Sequence, residues 1–352
     1  MASDRLYENH PPGLAATYAD VENHAESQGE ALVGTAGSIA LRRNATGSEF
    51  YVRQYYDHDK VKRVQYLVSK EAPGADATVA DWTKRINDTR DLIETVRLLS
   101  REGYSLLTPK HFAAIAPLAN HGVFQAGAML IGTHAFEVIV NRLGVRCSPY
   151  ATEDVDVARP GKLALPSIPK GGLLEMLRES GIDFVAVPPL DPRQPSTKFK
   201  EKGRSRFTFD LLVPSSSDDY EVLEVPELQV HATALPYLRY LLGESQPGAA
   251  LSSHGVAAVR VPVPERFALH KMVVAQLRRS GNKKVEKDQR QAAVLVAATG
   301  EIFPGALESA YKKTPLSVRR HIRKSFEAIQ PLLEAHPQSL EEIRTLIDAD
   351  SK

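Results

Sequence analysis

The stretch MLIGTHAFEVIVNRLGVRCSPYATEDVDV, residues 129–157, decides the fold of this chain. It opens with an apolar run that ends at Gly132-Thr133, where a helical pattern begins. An apolar strand, then glycine, then a helix predicts a turn that can approach a phosphate closely. Glycine has no side chain, and the first N–H groups of a helix have no partner within it. We therefore predict a phosphate-binding turn at Gly132 and Thr133.

The same stretch ends in two acids that we expect to lie side by side. The segment Thr152–Val157 has the pattern of a short strand. Because side chains alternate along a strand, Asp154 and Asp156 should point the same way. Two such carboxylates repel each other unless a positive group lies between them, and a hard divalent cation is the usual one. A phosphate-binding turn beside a metal site indicates chemistry on a nucleotide.

A third acid, Asp210, lies in the segment RFTFDLLV, residues 206–213. Phe209 and Leu211 would face a core, which leaves Asp210 as the lone charge on the opposite face of an apolar strand. A carboxylate in a central strand is costly unless it is paired or bound to a metal. Nucleotidyl transfer uses two cations roughly 3.5–4 Å apart, and three carboxylates suit such a pair.

Each of these features also has an explanation that involves no chemistry. An Asp-x-Asp pair is often a solvated strand end or turn, and Gly-Thr before a helix is often only an N-cap. Asp210 alone can be an edge-strand residue. The order of the three features, and their placement on a turn and two strands, favour the catalytic interpretation.

The composition is that of an ordinary globular protein. The 352 residues are 43% hydrophobic and 25% charged, with a net charge of +1, so no overall field points to nucleic acid or to an acidic membrane. The single cysteine, Cys147, excludes an intrachain disulfide and a cysteine-based zinc site. The N-terminus lacks the layout of a secretory signal, and the apolar runs fall far short of the roughly 18 residues that span a bilayer. We expect a soluble, cytoplasmic protein with no membrane partner.

The order of elements predicts an α+β fold. Three short β-like runs between residues 38 and 69 predict an antiparallel meander. Thr78 is expected to cap a long helix that ends near Arg101. Further along, Tyr237–Leu242 has the pattern of a strand, and Pro264 introduces a mainly helical tail.

These elements divide the chain into three predicted parts. They are an N-terminal β-meander and helix module at residues 1–108, a mixed-sheet catalytic core at 109–264 and a C-terminal helical region at 265–352.

The arrangement resembles the nucleotidyltransferase fold of the DNA polymerase beta superfamily. Members carry a Gly-Gly or Gly-Ser turn that opens a helix, an Asp-x-Asp or Asp-x-Glu strand and a third acid on a later strand. More closely, the chain is similar to a bacterial family of nucleotidyltransferase-like proteins over roughly residues 110–300. The matching stretches are GVFQAGAMLIGTHAFEVIVNRLGVR, ATEDVDVA, RFTFDLLVP and RFALHKMVVAQLRR…KVEKDQRQA. The resemblance implies a polymerase-beta-like core with a mixed sheet.

The resemblance also implies roles for individual residues. Gly132 and Thr133 would bind the triphosphate, Asp154 and Asp156 would hold both metals, and Asp210 would complete the metal site near the acceptor. Thr133 replaces the commoner Ser, and its hydroxyl can do the same work with a more restricted side chain. The gap between the turn and the acids is longer than in minimal family members, which makes Arg146–Thr152 an insertion.

Two lysines are further candidates for the nucleotide site. Lys271 lies on the helix after Pro264, and Lys287 precedes Asp288 on the next helix. In the resembling family a Lys-Asp pair on this downstream helix lies near the nucleotide. An ammonium there would balance triphosphate charge, and the acid would hold it in place. The alternative is a Lys-Asp pair on a solvated helix face.

Three basic stretches could meet a polyanion: Lys198–Arg206, Arg278–Arg290 and Lys312–Lys324. Such stretches usually form solvated faces. Basic patches around a nucleotide pocket could also hold an RNA acceptor.

Together these interpretations predict a nucleotidyltransferase that depends on Mg²⁺ or Mn²⁺. It would move a nucleoside monophosphate from an NTP, ATP among them, to a hydroxyl of RNA, a protein or a small molecule. The residues do not select among these acceptors and carry no signal for an oligomeric state. The alternative is a catalytically silent module on the same fold that binds a nucleotide or a partner and regulates it. The complete set of three acids argues against that alternative.

Overall fold

The computed structural model of this chain describes residues 5–189, 191–217, 219–278 and 283–350, so part of the basic stretch Arg278–Arg290 lies outside the described residues. The helices are α1 (Pro12–Ser27), α2 (Ala75–Arg101), α3 (Pro109–Asn120), α4 (Gly132–Arg142), α5 (Gly172–Arg178), α6 (Leu238–Leu241), α7 (Pro264–Leu277), α8 (Lys283–Ile302), α9 (Ala306–Lys312), α10 (Leu316–Ile329) and α11 (Pro337–Ala349). The strands are β1 (Glu8–Asn9), β2 (Ser38–Arg43), β3 (Glu49–Tyr56), β4 (Lys62–Ser69), β5 (Met129–Ile131), β6 (Val145–Arg146), β7 (Asp154–Ala158), β8 (Phe184–Ala186), β9 (Lys198–Glu201), β10 (Thr208–Pro214), β11 (Glu221–Val225), β12 (Val230–Leu235), β13 (Ser245–Ser252) and β14 (Gly255–Pro262).

The central sheet confirms the predicted α+β class with a mixed sheet. Its strands run in the order β11-β12-β10-β7-β5, and β9 and β8 extend it from β10. Strand β10 is parallel to β7 and β12, whereas β5 is antiparallel to β7. Two strands share one edge of β10: β9 pairs with residues 208–210, and β12 pairs with residues 212–214. Every second residue of β10 is buried, which leaves Asp210 on the opposite face as predicted.

The N-terminal meander is also confirmed, because β2, β3 and β4 form an antiparallel three-stranded sheet. The predicted start of the following helix was wrong. Helix α2 begins at Ala75, and Gly74 is its N-cap at φ +80°, a conformation that glycine adopts without steric cost. Thr78 lies inside the first turns, where its hydroxyl donates to the Gly74 carbonyl at 3.2 Å.

The hairpin of β13 and β14 connects the N-terminal helices to the rest of the chain. Its residues Leu251 and Val256 lie in one hydrophobic cluster with Tyr18 of α1 and Val96 of α2. Strand β14 also packs on β5 and α3. The predicted boundaries at residues 108 and 264 stay a prediction.

The C-terminal helices pack mainly on one another, with α7 against α8 and α10, and α11 against α8. The strand predicted at Tyr237–Leu242 was wrong, because this segment contains the short helix α6. Leu238 and Leu241 are each 1% exposed, and a spacing of three residues suits a helix rather than the alternation of a strand. In the described ranges, no helix combines the length and the apolar character that crossing a membrane requires.

Candidate active site

The turn between β5 and α4 places backbone N–H groups beside the acidic strand. Ile131 pairs with Asp156 across β5 and β7, so the next residue, Gly132, lies close to the side chain of Asp156. Gly132 has φ +71°, in the left-handed region that favours glycine. Helix α4 begins there, and no described side chain caps it. Its first N–H groups therefore form a site that can bind an anion.

Three aspartates lie next to one another on β7 and β10. The two strands pair in parallel, with Asp210 opposite Asp156. Val155 and Phe209, which alternate with the acids, are both 0% exposed. Asp154, Asp156 and Asp210 therefore project from the same face of the sheet, which we call the acidic face. The structure brings the three predicted acids together from two separate segments of the chain.

Burial and neighbouring groups shift the pKa values of these carboxylates. Burial raises the pKa of Asp156 to about 7, and the charges of Asp154 and Asp210 add to this rise. Burial also raises the pKa of Asp210. Burial acts in the same direction on Asp154, but a hydrogen bond from Thr152 and the ammonium of Lys284 outweigh it and lower the pKa of Asp154 well below its usual range. A positive ligand would relieve the repulsion at Asp156.

Two lysines form ion pairs with the acidic face. Nζ of Lys284 lies 3.0 Å from Oδ2 of Asp154, and Nζ of Lys198 lies 3.0 Å from Oδ2 of Asp210. Among the described residues, Asp156 has no ion-pair partner. Three hard oxygen donors, one of them without a counter-charge, fit a divalent cation such as Mg²⁺ or Mn²⁺.

Lys287 lies beside the turn at Gly132 and Thr133. Its Nζ donates to Oγ1 of Thr133 at 3.0 Å, which joins α8 to the start of α4. Burial lowers the pKa of Lys287, and the charge of Lys271 lowers it further. A bound triphosphate would oppose both effects. The contact therefore brings two of the predicted nucleotide-binding residues together.

Lys271 pairs with Asp288 and not with one of the three aspartates. Its Nζ donates to Oδ1 of Asp288 at 2.9 Å, and Nε of Arg278 donates to Oδ2 of the same carboxylate at 2.6 Å. The side chains of Lys271 and Asp288 are 8% and 1% exposed. Asp288 therefore binds Lys271 and Arg278, whereas we expected it to hold its neighbour Lys287. Lys271 acts on the site through its charge, which opposes the rise in the pKa of Asp156.

A cavity of about 540 Å³ opens at Asp154 and at the two lysines that pair with Asp154 and Asp210. Its lining residues are Ala151, Thr152, Glu153, Asp154, Lys198, Arg206, Thr208, Lys284 and Lys287. A larger cavity of about 720 Å³ lies between α1 and α2, but it contains none of the three aspartates, and its Arg85 and Glu30 already pair at 2.9 Å. The smaller cavity is therefore the candidate active site.

Two of the lining lysines, Lys284 and Lys198, were not predicted as site residues. Lys284 lies one helical turn before Lys287 and shares its face, so the spacing is a signal that could have found it. Lys198 was predicted only as part of a basic stretch. Its contact with Asp210 depends on the register of β9 against β10, which no local pattern carries.

Replacing Gly132 with Ala is expected to impair both stability and divalent-ion binding. The added Cβ would lie 3.2 Å from Cγ of Asp156 and nearer still to its carboxylate oxygen, and the left-handed backbone would cost roughly 1–2 kcal/mol. Gly47 is a matched control, since its φ is +90° and no described atom lies within 4 Å of an added Cβ. Gly47→Ala should lose only thermal stability. Equal Mn²⁺ affinity of the two variants in titration calorimetry would contradict the role of Gly132.

Comparison with known proteins agrees with this geometry. A model of a nucleotidyltransferase family matches residues 110–316, more than half of the chain. No match was found among curated proteins or among solved structures. The family match confirms the nucleotidyltransferase part of the resemblance, whereas membership of the DNA polymerase beta superfamily and a bacterial origin stay predictions. The chain therefore belongs to this nucleotidyltransferase family, and nucleotidyl transfer is its general activity.

Proposed function

We propose that the protein transfers a nucleoside monophosphate from an NTP to a hydroxyl of an acceptor. Asp154, Asp156 and Asp210 would hold the divalent cations, Mg²⁺ or Mn²⁺. The observation that carries this proposal is the shared face of β7 and β10, where the three carboxylates project beside the turn at Gly132. Burial and mutual repulsion make this arrangement costly, and bound cations would offset that cost.

The chain itself supplies the groups that bind and orient the NTP. When bound, the cations would activate the attacking hydroxyl and neutralise negative charge on the phosphates. The N–H groups of Gly132 and Thr133 would donate to phosphate oxygens, and the dipole of α4 favours negative charge at that end. Lys287, held against Thr133, places its ammonium beside the same phosphates.

When cations and an NTP bind, Lys284 and Lys198 would pair with anionic groups of the substrates instead of with the acids. Each forms an ion pair at 3.0 Å with an acid that we assign to cation binding, and their side chains are 49% and 47% exposed. Cations bound at the acids would take over this charge balance, and the two ammonium groups, which are partly exposed, would then balance charge on the NTP or on an anionic acceptor.

The proposal is tested by incubating the protein with each α-labelled NTP, with Mg²⁺ or Mn²⁺, and with acceptors of three classes: RNA, protein and small molecules. We expect label transfer that requires the divalent ion and disappears in the Asp154→Ala/Asp156→Ala variant. The labelled product identifies the acceptor class. NTP binding without transfer to any acceptor would favour the regulatory module instead. If neither transfer nor divalent-dependent NTP binding occurs, the proposal fails.

A further inference from the structure

The turn between β3 and β4 docks on β9 and brings a histidine and two carboxylates together. One ligand atom from each of His58, Asp59 and Glu201 lies within 4.8 Å of the other two. In the part of the chain that the structure describes, the three aspartates of the active site are not grouped this tightly. The carboxylate of Asp57 accepts hydrogen bonds from the N–H groups of Asp59 and Val61, each at 2.9 Å. The turn is therefore fixed independently of any ligand.

His58 is buried with too few partners. Its side chain is 3% exposed, and its Nε2 lies 3.3 Å from Oδ2 of Asp59. Its Nδ1 has no hydrogen-bond partner among the described residues. Burial lowers the pKa of His58, which favours the neutral imidazole that binds metal ions. Burying an imidazole with one weak contact is costly, and coordination through a ring nitrogen would offset part of that cost.

Lys110 provides the competing explanation for this cluster. Its Nζ lies 2.7 Å from Oε2 of Glu201, so an ammonium already balances that carboxylate. This pair does not account for His58 or for Asp59, whose side chain is 62% exposed. The two explanations predict opposite effects of removing Lys110.

We propose that His58, Asp59 and Glu201 form a second cation site, separate from the active site, that binds a transition ion such as Zn²⁺. One imidazole and two carboxylates match the mixed nitrogen and oxygen ligands of Zn²⁺, whereas Mg²⁺ and Ca²⁺ favour oxygen ligands alone. A cation there would join the meander to β9. The same strand carries Lys198, which pairs with Asp210, so the site would hold the meander against the catalytic sheet.

The test is Zn²⁺ binding by the full chain in an Asp154→Asn/Asp156→Asn background. This background removes two acids of the active site, so the result does not depend on transfer activity or on the proposed function. Titration calorimetry should show one Zn²⁺ per chain. His58→Ala and the shape-preserving Glu201→Gln should each weaken Zn²⁺ binding by about tenfold or more. His24→Ala, at an exposed histidine, should leave the affinity unchanged.

Lys110→Met separates the two explanations. If the site binds Zn²⁺, removing the competing ammonium should tighten binding by about tenfold and enlarge the rise in Tm that Zn²⁺ produces. If Glu201 serves only to pair with Lys110, the variant loses stability that Zn²⁺ does not restore. The proposal is overturned if Lys110→Met leaves the Zn²⁺ affinity unchanged or lower. Zn²⁺ binding that His58→Ala and Glu201→Gln do not weaken, or no Zn²⁺ binding at all, also overturns it.

Discussion

Asp156→Asn is expected to abolish nucleotidyl transfer and to raise the stability of the protein without divalent ions. The substitution removes one of the three proposed cation ligands, and we expect a loss of roughly a thousandfold in kcat/KM, equivalent to about 4 kcal/mol. It also removes a carboxylate whose pKa burial and the charges of Asp154 and Asp210 raise to about 7. An acid that serves catalysis and not folding should show this combination, in which its removal lowers activity and raises stability.

The sign of the stability change follows from the raised pKa. An acid with a pKa higher in the folded than in the unfolded state destabilises the fold once the pH exceeds its unfolded value of about 3.9. The destabilisation by ionised Asp156 therefore grows as the pH rises from about 4 to about 7, and it levels off above that range. Urea denaturation in EDTA should show Asp156→Asn more stable than the wild type at pH 8, by about 1–3 kcal/mol. The gap should narrow at pH 5.

The control for this prediction is Asp183→Asn, which removes the same charge from a side chain that is 62% exposed. It should leave both transfer and stability unchanged. Retained transfer in Asp156→Asn would show that this acid is not a cation ligand. Lower stability than the wild type at pH 8 would show that the carboxylate is compensated in the free protein.

Asp288→Ala is expected to cause a large loss in the free energy of unfolding. The side chains of Lys271 and Asp288 are 8% and 1% exposed, and Arg278 donates to the second carboxylate oxygen of Asp288 at 2.6 Å. Removing Asp288 leaves the buried ammonium without a counter-charge, which costs about 3–5 kcal/mol. The double variant Lys271→Met/Asp288→Leu should recover most of this loss, because an apolar pair needs no compensation. Urea denaturation at pH 7 measures both changes.

The pH dependence of this loss has a defined direction. Burial raises the pKa of Asp288, but the charges of Lys271 and Arg278 outweigh it and lower the pKa below its usual range. A lowered folded pKa stabilises the fold above the unfolded value of about 3.9, and the stabilisation is lost as the pH falls through the folded pKa. The difference between wild type and Asp288→Ala should therefore be full at pH 7 and shrink below pH 4. A difference that stays constant with pH would contradict the ion-pair explanation.

The turn and the acids were predictable because their signals are local. An apolar run that ends in glycine marked the junction of β5 and α4. Alternation with a period of two assigned Asp154 and Asp156 to one face of their strand, and Asp210 to the face of its own strand opposite Phe209, and the structure places them so. The pairing of β7 with β10, which joins the two faces, carries no local signal. The catalytic role of the three acids stays a prediction, since placement on one face does not by itself demonstrate cation binding.

Contacts between distant segments were not predictable. Strand β13 was missed because it contains Pro247 and Gly248, residues that are typical of turns. Its pairing with β14 becomes evident only in three dimensions. The contact of Lys198 with Asp210 and the burial of Lys271 against Asp288 likewise depend on strand register and helix packing.

The parallel pairing of β7 and β10 has a consequence for how the protein acquires activity during folding. Parallel strands cannot be joined by a tight turn, and the chain between Ala158 and Thr208 must close as a long loop that contains α5, β8 and β9. Neighbouring strands such as those of the meander can pair earlier, since contacts close in sequence form faster. An intermediate could therefore show much of the final helix and strand content and still have no acidic face. Recovery of transfer activity during refolding should lag behind the recovery of secondary structure.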